Sequence, residues 1–407
     1  MNITRNFTTS VRGLGAERVW LLGILTGGHF VIHWFQQFFP VILPSIKQGL
    51  GLSNVEVGAL TSAQQLVMGV AQLPLGMIAD SMVQRRATIL ALSLVSMGAA
   101  YFLLAVPVFV SALIGSGLIG LGTALWHPTA AASLSNRFPE RRATALSVHG
   151  TGATLSDTIT PLCVGALLAT FSWQTASQVQ LLPGLLFAFI VWRALAGMFA
   201  DGSSRSSRPF AQLRDLLSVT RNPAFLGVSL STGLLQMGRL VILTFLPIYL
   251  QEHLNYSPFA LGGFIALLHA MGIVSQPILG LLSDRFGRKA VLLPSCLLLG
   301  LFFALLAVAP PGIPLALVIV AIGLFFYTLF NIMNAAVMDV AGSNVQAATY
   351  GLMTLITQLI VIPTPMVTGY LIGVWGIEFG FVLAGTFLVI GGLVIAPLKL
   401  YRGTRYS

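Results

Sequence analysis

Along the chain, apolar runs of about 20 residues alternate with short polar connections, the pattern of helices that cross a bilayer. Twelve such runs can be read, with cores at residues 18–44, 54–77, 87–105, 108–132, 143–169, 178–199, 223–250, 257–281, 289–309, 313–337, 347–373 and 377–397. They are numbered here as spans 1 to 12. No period-two alternation repeats over ten-residue segments, which argues against a membrane β-barrel. The pattern predicts an all-α membrane protein of twelve transmembrane helices. The first sixteen residues are polar with scattered arginines and lack the apolar core and cleavage site of a signal peptide.

One apolar run breaks the pattern. In "GGHFVIHWFQQFFP" of span 1, Thr26, His29, His33, Gln36 and Gln37 fall within about 100° of one another on a helix. A polar stripe facing lipid is costly, so this face turns toward protein or water.

Composition strengthens the membrane reading. The chain is 56% hydrophobic and 8% charged, against about 25% charged in soluble domains. A net charge of +10 could suit nucleic acid, but its distribution argues otherwise. With the N-terminus in the cytoplasm, all of the 21 basic residues except Lys47, Arg193 and Arg239 fall in cytoplasmic segments. The positive-inside rule then places both termini inside. A multi-pass protein of the bacterial inner (plasma) membrane is expected, monomeric, surrounded by lipid and without nucleic acid. Cys163 and Cys296 lie in apolar segments, where neither a disulfide nor a metal site is expected.

Residues 200–222 are the only long polar segment between spans. They divide the chain into a six-helix bundle at 1–199, a cytoplasmic linker at 200–222 and a second bundle at 223–407. The halves match at a shift of 204 residues (257 − 53): Ser53, Gly58, Gln72, Gly76 and Asp80 with Ser257, Gly262, Gln276, Gly280 and Asp284, and Thr160, Pro161 and Gly165 with Thr364, Pro365 and Gly369. Repeated six-helix halves point to a transporter with its substrate site between them near the midplane.

The clearest motif is "GLLSDRFGRK", with Gly280, Asp284, Arg285, Gly287, Arg288 and Lys289. Its glycines allow close approach and a tight turn, and Asp284 can pair with neighbouring arginines. The first half keeps Gly76, Asp80, Arg85 and Arg86 in "GMIADSMVQRR", with Ser81 and Val83 in place of a basic residue and a glycine. The motif resembles the loop signature of the major facilitator superfamily, and the resemblance covers the whole chain. Three further stretches, "GHFVIHWFQQFFPVILP", "ALWHPTAAASLSNRFPERRATA" and "GATLSDTITPLCVGALL", resemble the fosmidomycin-resistance type of bacterial efflux carriers. His33 stands where that group tends to have an acid. The resemblance implies anionic substrates, since fosmidomycin is a phosphonate. In span 5 the superfamily's antiporter signature is partly kept: Gly152, Pro161 and Gly165 remain, whereas Ser156, Thr160 and Val164 replace glycines.

The few ionisable residues inside the spans carry the chemistry. Asp157, near the middle of span 5, is either a proton-coupling acid or a structural partner of Arg239 or of hydroxyls such as Thr160. Arg239, mid-span 7 with Gln236 on its face, either binds an anion through its forked donors or neutralises an internal acid. Arg193 lies near a span end and can snorkel. His127 in span 4 and Asn331 in span 10 occupy equivalent places in the halves, followed by Asn334. The resemblance implies that spans 4, 7 and 10 line the cavity. Substrate contact is therefore expected from His29, His33, Gln36, Gln37 and His127 on one side, and from Gln236, Arg239, Tyr327, Asn331 and Asn334 on the other. Trp34 is a further candidate for the cavity wall. Proton coupling is expected from Asp157, His33 and His29. His149 and His269 read as structural.

No phosphate-binding glycine loop, metal-ligand spacing or nucleophile–base pair is present. No cofactor, metal or enzymatic activity is expected. The sequence reads first as a transporter for proton-coupled export of a drug-like or anionic small molecule by alternating access. Uptake of an organic or phosphate-bearing anion comes second and facilitated diffusion third. A non-transporting sensor would need a folded cytoplasmic appendage, for which the linker and tails are short.

Overall fold

The computed structural model describes residues 15–199, 219–340 and 346–400, with Asp80, Ala143, Gln346, Ala347, Ala348 and Tyr350 described through the backbone alone. Most of the 200–222 linker and the C-terminal residues from Tyr401 lie outside the described residues. Every regular element described is helical. In chain order the α-helices are α1 (Ala16–Leu50), α2 (Asn54–Ser81), α3 (Arg86–Leu104), α4 (Phe109–Arg137), α5 (Arg142–Thr170), α6 (Trp173–Gln178), α7 (Leu181–Leu195), α8 (Pro223–Ile248), α9 (Pro258–Phe286), α10 (Arg288–Leu305), α11 (Ile313–Phe326), α12 (Thr328–Val340), α13 (Gln346–Val361), α14 (Thr364–Trp375) and α15 (Ile377–Ile395). Ten stretches among them are long and apolar enough to cross a membrane. That set leaves out α1 and α2, and the polar stripe dilutes the apolar character of α1.

Nine expected spans correspond to single α-helices; three are broken. Span 6 is α6 and α7, with a turn at Val179–Gln180; span 10 is α11 and α12, parted at Tyr327; span 11 is α13 and α14, parted before Thr364. The last break has a local cause, because Pro363 has no N–H and disfavours helix in the residue before it. Span 6 begins earlier than its apolar core because Ser172 caps α6, its hydroxyl accepting from Thr175 N–H at 3.2 Å.

Some repeat positions are caps. Ser53 accepts from Glu56 N–H at 3.3 Å in a capping box, and Ser257 accepts from Ala260 N–H at 3.2 Å. The motif expected to form a tight turn does so at Gly287, whose φ of 97° suits glycine. Arg288 then pairs with Asp284 and, at 2.8 Å, with Asp339, while Lys289 Nζ donates to the Leu398 carbonyl at 3.3 Å. Arg285 lies 5.2 Å from the Phe286 ring. Gly280 departs from expectation: a Cβ there would meet nothing within 4 Å, so it permits no close approach. In the first half, Gly76 faces Pro128 and buried Arg86 donates from Nε to the Ala79 carbonyl at 2.9 Å. Arg85 sits in a short 3-10 turn, and the Asp80 side chain lies outside the described residues.

Helix α1 packs on α5, α2 on α4, and α3 on α4 and α7; α8 packs on α13 and α15, α9 on α11, and α10 on α15. The N-terminal and C-terminal groups meet chiefly where α5 crosses α9 and α2 crosses α14. Glycines allow both crossings. A Cβ on Gly165 would lie 2.6 Å from the Pro258 carbonyl oxygen. One on Gly262 would run into the Pro161 carbonyl, one on Gly58 into that of Pro365, and one on Gly369 into that of Asn54. All four contacts lie toward the helix ends that also carry an ion pair between the groups, Lys47 Nζ to Glu252 at 2.5 Å. Lys47→Glu should set two acids together and lower the melting temperature in detergent, and adding Glu252→Lys should restore most of the loss. Additive losses in the double variant would remove the pair from the account.

Candidate functional site

The stripe of α1 faces α4 and α5, and two glycines set that distance. A Cβ on Gly28 would enter the ring of buried Trp126, and one on Gly152 would meet the Thr26 carbonyl. Backbones this close are the usual product of small residues between membrane helices. They bring His127 and His149 to His29, and Asp157 to His33. Gly152→Val should force α5 from α1, costing about 1–3 kcal/mol by overpacking and lowering the melting temperature in detergent. An unchanged melting temperature would mean that this crossing is not tight.

His33 Nδ1 and Asp157 Oδ1 share a hydrogen bond of 2.8 Å, and Gln37 Nε2 donates to the same oxygen at 3.0 Å. His29 Nδ1 bonds the His149 carbonyl at 2.9 Å, and its ring stacks on His149 with centroids 4.0 Å apart. His127 Nδ1 bonds the Thr123 carbonyl at 3.0 Å, and Gln36 Nε2 donates to Thr123 Oγ1 at 2.8 Å. Sequence spacing shows no metal set, yet a ring nitrogen from each of His29, His33 and His127 lies within 4.8 Å of the others. Trp34 Nε1 donates to Gln180 at 3.0 Å.

The opposite side is built by α8, α9, α11 and α12. Arg239 is half-buried and donates from Nη1 to Gln236 at 2.6 Å. Its guanidinium carbon lies 4.6 Å from the Phe326 ring centroid, 4.8 Å from Tyr327 and 5.7 Å from Phe330. No carboxylate forms an ion pair with it among the described residues, and its Nε is shut from solvent without a partner. Tyr327, at the break between α11 and α12, shares a hydrogen bond of 2.6 Å with His269 Nδ1. Asn331 Nδ2 donates to Gln276 at 3.1 Å, and the Asn334 Oδ1 is buried without a partner. The sides approach each other: Tyr327 is within reach of Gln37, and Asp157 of Arg239 and His269 electrostatically.

Asp157 is therefore partnered by His33 and Gln37, not by Arg239, and Thr160 bonds Ser156 instead. His149 and His269, read as structural, stand in the polar cluster. Phe326, Phe330 and Thr123 join the site without a signal in the sequence beyond their position on cavity-side spans, and Gln276, marked in the sequence only as a repeat position, joins it through Asn331.

The chain matches the sequence model of the Major Facilitator Superfamily over residues 25–363 and 275–405. It belongs to that superfamily. A transporter of this superfamily is a multi-pass membrane protein moving small molecules, and both statements hold here. Among its superfamily relatives is a probable sulfoacetate transporter of Cupriavidus necator, 26% identical over 92% of each chain. Another is a hexuronate transporter of Bacillus subtilis, 24% identical over 90% of this chain and 89% of that one. A superfamily fold is equally evident in solved structures. A bacterial homolog of the human lysosomal transporter Spinster aligns with a TM-score of 0.75 at 18% identity, over 94% of this chain and 96% of that one. The nucleoside transporter NupG aligns with a TM-score of 0.75 at 14% identity, over 95% and 100%.

Proposed function

We propose that this chain carries a small organic acid across the membrane by alternating access, holding the acid's charge at Arg239. One observation carries the reading: a guanidinium in mid-membrane lies among three aromatic rings with no counter-ion among the described residues and a buried donor unused. An unpaired charge at that depth is costly unless a ligand completes it. The planar fork suits carboxylate or sulfonate. The names of two relatives, for sulfoacetate and hexuronate, support an acid.

Substrate would lie between Gln236, Arg239, Tyr327, Asn331 and Asn334 on one side and His29, His33, Gln36, Gln37 and His127 on the other. The six-helix halves would rock about it, with the termini and the Asp284–Arg288 turn in the cytoplasm and the Lys47–Glu252 face outside. Uptake is the proposed direction, with protons as the energy source. An anion entering a cell that is negative inside moves against about 2.3 kcal/mol per charge per 100 mV, and one proton per charge cancels this. Export of a phosphonate-like anion, which the fosmidomycin-resistance resemblance implies, would use the same anion site in the opposite direction.

Sided proteoliposomes with a pH gradient separate these. Acid on the Lys47 face should drive accumulation of hexuronate or sulfoacetate, and a protonophore should abolish it. Accumulation driven only in the opposite direction would favour export. No movement of any organic acid, with cationic drugs transported instead, would overturn the reading.

A further inference from the structure

The three histidines at the N-terminal side of the site share a feature that substrate contact does not require. Each has its Nδ1 engaged by an acceptor. A carbonyl oxygen can only accept, so the bonds to His149 O and Thr123 O fix the proton of His29 and of His127 on Nδ1. Asp157 Oδ1 bonds His33 Nδ1 in the same way, and an ionised carboxylate there would hold the proton of His33 on Nδ1. In all three rings the lone pair then sits on Nε2. This is the outer-shell arrangement of metal-binding histidines, in which a carbonyl or carboxylate holds one ring nitrogen and frees the other to ligate. His29 Nε2 is buried and has no partner, and His29 as a whole is 7% exposed.

We propose that His29, His33 and His127 bind a divalent transition metal ion of the zinc type. A ring nitrogen of each lies within 4.8 Å of the others. Tetrahedral zinc, with Zn–N of about 2.0–2.1 Å, wants its nitrogens roughly 3.3 Å apart. That gap would have to close by ring rotation as the ion binds. Neutral imidazoles suit zinc, cobalt, nickel or copper and are poor ligands for magnesium or calcium. The carboxylate of Asp157, bonded to His33, offsets part of the ion's charge. His33, with 17% of its side chain exposed, offers the way in. A fourth position is left for water or for an acid group. The ligands come from α1 and α4 alone, so the ion belongs to one side of the site and would not tie the two groups of helices together.

The experiment uses purified full-length protein in detergent, stripped with a chelator and titrated with zinc, then with cobalt for its visible spectrum. One zinc per chain should bind, and cobalt should give the intense absorption of a four-coordinate nitrogen site. His29→Gln and His127→Ala should each weaken binding at least tenfold, and zinc should raise the melting temperature of the unaltered protein but not of these variants. His253→Gln, beyond the end of α8, should bind as the unaltered protein does and excludes adventitious surface sites. Arg239→Gln should keep the metal while losing the acid, so the two assignments fail separately. Folded, unaltered protein that takes up no zinc, or binding that survives both histidine substitutions, would overturn the site. A variant that does not fold leaves the cobalt spectrum of the unaltered protein as the deciding measurement: an octahedral, weakly absorbing ion would also overturn it.

Discussion

Arg239→Gln protein should reach the membrane, fold and carry no organic acid. A hydrogen bond to a charged group contributes about 1.5–3 kcal/mol, and a forked guanidinium can make two to one acid. Their loss predicts a fall in transport of roughly 100-fold or more. Arg239→Lys should recover little, because an ammonium lacks the planar fork and stacks less well between rings. The stability result should run the other way. No counter-ion holds Arg239 among the described residues, so removing its charge relieves a desolvation cost, and the melting temperature should hold or rise. Unaltered transport of every acid tested, or a collapse in stability that a bound acid does not explain, would remove the anion-binding role.

Gly58→Leu and Gly262→Leu should shift the carrier toward a state open on the Lys47 face. Both glycines sit against carbonyl oxygens of the opposite group of helices, Pro365 and Pro161. A leucine there cannot be housed while that face is closed, but it meets nothing once the groups separate. Overpacking costs about 1–3 kcal/mol, which changes a two-state ratio by roughly 5- to 150-fold. A cysteine at Gln36, in protein lacking Cys163 and Cys296, should label faster with a membrane-impermeant thiol reagent applied to the Lys47 face. Transport should fall because the closed state is depleted. Equal labelling with normal transport would show that these contacts do not define a state of the cycle.

Much of this was legible along the chain because the bilayer imposes so narrow a choice of structure. Hydropathy located nine of the expected spans as single helices and three as pairs of helices, and Ser53 and Ser257, matched in the sequence, both turn out to be helix caps. The break at Tyr327 was not legible, since neither proline nor glycine marks it. The α1 stripe was legible from its period alone. Its partners were not: His149 and Asp157 lie more than a hundred residues away, and they meet the stripe only because Gly28 and Gly152 let α4 and α5 come so close. Asp157 offered Arg239 as an apparent counter-charge in the sequence, and only packing decided for His33 and Gln37. The resemblance to the superfamily proved sound. Of the three aromatic rings around Arg239, Tyr327 was legible, but Phe326 and Phe330 had no signal of their own among so many phenylalanines.

His29, His33, His127, His149 and Asp157 all belong to α1, α4 and α5, clamped together through Gly28 and Gly152. Rocking of the halves would carry this block as a rigid body, so distances inside it would stay constant through the cycle. What changes is its separation from Arg239. A ligand that touches only the block meets the same surroundings in every state and cannot bias one state over another. Only a molecule long enough to reach from the histidines to the guanidinium feels the difference. Reach thus becomes a criterion of selection: an acid that bridges the histidines and the guanidinium would tell the states apart, and one that touches the histidine block alone would not.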